Sequence, residues 1–140
     1  MSIQVPEGNI EDWLKELKPY QKNTLSEILL SNDPEKAADI WITSQGSEII
    51  VHFGGTHDTK PFLDRFKQEF RRFICDDSAY SEEKKALNVE GGITKTLLVS
   101  AISSAIGATI GYSATLLAPA VAILLCVVGK MTVNAYCKNG

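Results

Sequence analysis

Apolar and polar positions follow two regimes along this chain. Through the first 90 residues, apolar side chains recur at helical spacing with charged residues between them. From residue 96 to residue 129, 34 consecutive residues carry no charge.

The first regime predicts a series of short helices. Asn9 is a capping residue, and Ile10, Trp13, Leu14 and Leu17 then share one helical face. Pro19 interrupts that helix, and residues 20–30 resume it with Leu25, Ile28 and Leu29 apolar. Asp33-Pro34 is a cap-plus-proline start for a helix over 34–44 that ends at Gly46. Its stripe is Ala37/Trp41 and Ala38/Ile42. Residues 48–53 (EIIVHF), between Gly46 and Gly54-Gly55, form the one short strand expected.

Residues 61–75 give the clearest amphipathic helix. Phe62, Phe66, Phe70, Phe73 and Ile74 share a face, with Asp64, Arg65, Lys67, Glu69, Arg71 and Arg72 around the rest. The Phe face suits the core of a small domain or a partner. Laid on an inner leaflet, the same helix would set its Arg and Lys against anionic lipid. Residues 77–92 read as a polar connector, helical from Ser81.

The uncharged run would be roughly 51 Å long as one helix, against a hydrocarbon core of about 30 Å. Two helices fit better, over 93–112 and 119–136. Pro119 opens the second, and Gly91 and Gly92 form a joint before the first. Ninety residues cannot easily wrap two wholly apolar helices, which favours a transmembrane hairpin. A hairpin stored and inserted only after a trigger is a version of the same reading. The fold class expected is therefore mainly α: a helical cytoplasmic domain over 1–76, the connector, and a two-helix membrane hairpin over 93–137.

Lys84, Lys85 and Lys95 precede the hairpin, Lys130 and Lys138 follow it, and the turn has no charge. By the positive-inside rule both termini lie in the cytoplasm and the protein is a two-span inner-membrane protein. Tyr112 and Tyr136 stand where an aromatic belt belongs. In the first hairpin helix Thr96, Ser100, Ser103, Gly107 and Gly111 recur every three or four residues, and Ser104 widens that face. Gly107-x-x-x-Gly111 suits close helix packing. A hydroxyl face also suits the lining of an oligomeric pore. The second helix is apolar nearly all round.

Charge sharpens the division. All 17 acidic residues and 11 of the 14 basic ones lie in residues 1–90, so that part carries 11 − 17 = −6. The remainder has three lysines and no acid. A net −6 argues against nucleic-acid binding. Cys75, Cys126 and Cys137 are odd in number and widely spaced, which predicts reduced thiols without a disulfide or metal knuckle. His52, His57 and Asp58 match no zinc spacing. No cofactor, metal or catalytic constellation is expected, and the protein is not read as an enzyme. No ionisable residue lies deep in either apolar helix, which argues against a proton relay.

These features favour a membrane effector. Its cytoplasmic domain senses a signal or partner, and its hairpin oligomerises and permeabilises the bilayer. The layout resembles that of holin-like lysis proteins and of two-span effectors in bacterial antiviral systems, without a shared motif. The alternative is a membrane-anchored adaptor whose acidic helices recruit a protein.

Overall fold

In a computed structural model, the structure describes residues 5–15, 17–52, 60–87 and 94–138, with the backbone alone for 44–52 and 60–61. Among the described residues the regular structure is all helical. Helix α1 spans Ile10–Leu14 behind a capping box. Asp12 N donates to Asn9 Oδ1 at 3.0 Å, and Asn9 N to Asp12 Oδ2 at 3.3 Å. Helix α2 (Pro19–Ser31) starts on its proline, and α3 (Pro34–His52) is capped where Lys36 N donates to Asp33 Oδ1. Helices α4 (Lys60–Cys75), α5 (Ser81–Ala86), α6 (Lys95–Ile110), α7 (Ala114–Met131) and α8 (Val133–Lys138) follow.

Two expected elements are corrected. The strand over 48–53 is not formed, since residues 48–52 continue α3, which passes through Gly46; Phe53 lies outside the described residues. A short segment with four apolar residues in six does not distinguish a strand from a helical segment, and one interior glycine costs only about 1 kcal/mol. Pro119 does not open the second apolar helix, which begins at Ala114 after Ser113 and carries the proline inside it. The segment read as one helix to residue 136 is broken at Thr132, whose φ of 79° separates α7 from α8.

Helix α7 is the hub. It packs most extensively on α3 and α6, and also meets α1, α2 and α8. Leu117, Val121, Ile123, Leu125 and Val128 are completely buried. Each such side chain contributes about 1.5–3 kcal/mol. The N-terminal segment crosses the same helix at Gly129, where an added Cβ would stand 2.5 Å from Pro6 O. The acidic helices and α6 thus cover α7; the expectation concerned two wholly apolar helices. Only one helix needs enclosing, because α6 keeps a hydroxyl face outward. Of the two apolar helices, α7 alone is long and apolar enough to cross a bilayer; α6 has 16 residues.

Helix α4 lays Phe66, Phe70, Phe73 and Ile74 into the core. Its last residue forms a disulfide with α8, Cys75 to Cys137, with the Cα atoms 5.6 Å apart. This overturns the reading of three reduced thiols, leaving Cys126 as the buried free one. A separation of 62 residues carries no local signal; the pairing comes from α4 packing on α8. Arg71 reinforces it, with Nη2 donating to Cys137 O at 2.7 Å.

Tyr80 fastens the connector. Its hydroxyl donates to Glu69 Oε1 at 2.6 Å and lies 3.1 Å from Thr109 Oγ1, joining α4 to α6. Arg72 holds the same carboxylate at 2.9 Å. Burial, then the Glu69 hydrogen bond, pushes the Tyr80 phenol up to about 12.

In the chain-entropy view the 75–137 disulfide contributes about 4 kcal/mol. Cys137→Ser should therefore cost roughly 2–4 kcal/mol and lower Tm by about 10 °C in calorimetry. For Tyr80, the folded chain keeps a proton that the unfolded chain gives up near pH 10. The resulting stability is complete below pH 10 and is lost as pH rises towards 12. Denaturant titrations should show that decline, and Tyr80→Phe should flatten it.

Candidate functional site

The chemistry-free apolar pair and its surroundings are the candidate site. Helix α6 begins where Thr94 Oγ1 accepts from Leu97 N, and it ends in a glycine cap. Gly111 has φ +77°, and both its N–H and that of Tyr112 donate to Gly107 O, at 2.8 and 2.9 Å. A Cβ on Gly107 would meet Tyr112 O at 2.5 Å, whereas one on Gly111 would meet nothing. In this structure the Gly107-x-x-x-Gly111 pattern builds the tight turn into α7. The spacing that suggests helix–helix contact is the spacing of a C-terminal cap.

Just beyond the turn, α7 has a gap in its ladder. Pro119 has no N–H, so Thr115 O lacks its usual partner four residues on. Gln21 Nε2 donates to that carbonyl at 2.9 Å. On the same turn Trp41 Nε1 donates to Leu116 O at 2.7 Å. Gln21 and Trp41 are 1% and 2% exposed, so two buried donors from the acidic helices engage the opened turn. Sequence patterning places Trp41 on an apolar stripe but does not single out Gln21. The available signal was a polar residue on the buried face of α2, two positions after its proline.

The hydroxyl face of α6 forms one wall of a cleft of about 230 Å³ between α1, α2 and the start of α7. Thr96, Ser100, Ser103 and Ser104 all line it. Three are exposed, but Ser103 is 1% exposed and its hydroxyl has no hydrogen-bond partner. Gly107 and Gly111 are not brought into the cleft.

The remaining expected positions disperse. Gly91 and Gly92 lie outside the described residues, as do His57 and Asp58. Phe66, Phe70 and Phe73 are core; half-buried Phe62 meets Tyr112 edge-on at 4.8 Å. Tyr136 packs edge-on to Phe70 beside Arg71. Lys84 is buried, with Nζ donating to Asp76 O at 2.6 Å and lying 5.5 Å from the Phe73 ring centre. Burial lowers its pKa. Lys85, Lys130 and Lys138 are exposed, and Lys95 sits over the Trp13 ring at 5.5 Å.

No protein-family model, curated protein or solved structure matches the chain.

Gly107→Ala should lower stability by about 1–3 kcal/mol, because the turn backbone must move. Gly111→Ala should cost about 1 kcal/mol through its left-handed backbone alone. Urea unfolding of the monomer measures both. Unchanged monomer stability with loss of self-association would instead return the glycines to a contact between copies.

Proposed function

We propose that this chain is a membrane-permeabilising effector held in a closed form, with α6 and α7 as the inserting hairpin. The observation that carries the reading is the position of α7. An 18-residue helix of mean hydropathy 2.1 lies at the centre of the fold, covered by a sheath of α3 and its neighbours from the acidic part of the chain and by α6. Most of what holds it there is apolar contact, which a bilayer replaces without loss. Two side-chain hydrogen bonds hold its opened turn, and the disulfide ties α8, at its far end, to α4.

Release requires the sheath to part from α7. The turn between α6 and α7 is uncharged and leads into the bilayer, and the lysines flanking the hairpin stay on the side of entry. The target is the inner membrane, entered from the cytoplasm, with both termini remaining there. In the reducing cytoplasm the 75–137 pair is held as a dithiol, so the closed form there rests on apolar packing and the two hydrogen bonds at the opened turn, and the oxidised protein carries one further restraint. The hydroxyl face of α6 then turns towards other copies, where it packs or lines an aqueous path.

Dye-loaded anionic vesicles test this. Reduced protein should float with the vesicles and release dye at least tenfold faster than oxidised protein. Combining Gln21→Leu with Trp41→Phe should speed release further. If every form stays in the aqueous fraction, α7 is only the core of a water-soluble fold. Flotation without release would favour the anchored adaptor, with the acidic helices recruiting a partner.

A further inference from the structure

The cleft against the hydroxyl face of α6 holds two buried donors without acceptors. Ser103 is one. The other is the indole N–H of Trp13, a residue 2% exposed that lines the same cleft from α1. The second tryptophan makes the contrast, since Trp41 Nε1 is satisfied by Leu116 O at 2.7 Å. Leaving a buried donor unpaired costs about 1–3 kcal/mol, and here two belong to residues that line one cleft.

The fixed charges around them are mostly cationic. An indole N–H and two ammonium groups, Lys18 and Lys95, can only donate. Lys95 Nζ stands 5.5 Å from the centre of the Trp13 ring, so a cation accompanies one of the unpaired donors. The one acid in the lining, Asp12, already accepts from Asn9 N in the capping box. Gln21 is engaged at both ends, its Oε1 by Lys18 N and its Nε2 by Thr115 O. The exposed Thr96, Ser100 and Ser104 hydroxyls can donate as well as accept, and with two lysines against Asp12 the lining is net positive. Leu17, Val99, Ala118 and the indole face supply an apolar wall.

We infer that this cleft is a binding site for a small anion with an apolar body. The anionic end takes the Trp13 N–H and the Ser103 hydroxyl beside Lys95, and the body lies along the apolar wall. At about 230 Å³ the space is below the usual drug-sized pocket, which selects a compact ligand. The site lies between α1–α2 and the α6–α7 pair, so occupancy also ties the sheath to the hairpin. That last consequence rests on the proposed function, whereas the site does not.

The probe is hexanoate, with hexanol as its uncharged counterpart, titrated into the full oxidised protein without lipid. Proton–nitrogen spectra resolve the two indole N–H signals. Hexanoate should move the Trp13 signal downfield with saturation in the millimolar range, while the Trp41 signal stays fixed and reports an intact fold. Lys95→Met should weaken hexanoate at least fivefold, and Ser103→Ala severalfold. An immobile Trp13 signal, or an equal response to hexanol, overturns the site. Because no membrane is present, a negative result here leaves vesicle release untouched, and failure of vesicle release leaves this binding untouched.

Discussion

A helix with no polar face has to be surrounded, by lipid or by protein. Helix α7 sets this constraint for the whole chain. Ten of its residues are buried, from Leu117 to Val128. The rest of the fold is arranged to supply the cover: α3 and α6 pack on it most extensively, Gln21 of α2 reaches Thr115 near its start, and the segment leading into α1 crosses Cys126 and Gly129 near its end. Most of the described acidic residues face solvent on that cover, and Glu69 is buried within it. The net −6 of the first ninety positions belongs to the sheath, and the uncharged run belongs to what it encloses.

Apolar packing alone is non-directional. Direction enters through a few polar contacts, and they fall where the backbone of α7 or its neighbours is irregular. Pro119 frees a carbonyl that Gln21 reaches from α2. Trp41 joins the adjacent carbonyl from α3. Arg71 and the 75–137 disulfide fix α8 to α4. Tyr80 and Glu69 join the connector to α6 through Thr109. A proline that interrupts the hydrogen-bond ladder thereby becomes the place where the acidic helices gain their register on the apolar one.

The same arrangement separates two uses of the α6 surface. Its apolar stripe, Leu98, Ile102 and Ile106, is fully buried. Its hydroxyl stripe faces a cleft whose lining carries two lysines and one acid. Packing and exposure are divided between two faces of one helix, so Thr96, Ser100 and Ser104 remain exposed while Leu98, Ile102 and Ile106 stay covered.

Much of this was legible in the sequence because it depends on local rules. Asn9 and Asp33 cap helices, the Phe stripe of α4 faces the core, and the uncharged run divides into two helices near Tyr112. These follow from periodicity and from backbone sterics within a few residues. Where α7 is buried could not be read locally, because hydropathy registers a need for cover and not what provides it. The same limit hid the disulfide, the continuation of α3 through Gly46, the inward turn of Lys84 and the meeting of Trp13 with Ser103. Each depends on which elements lie side by side, and only the packing around α7 decides that.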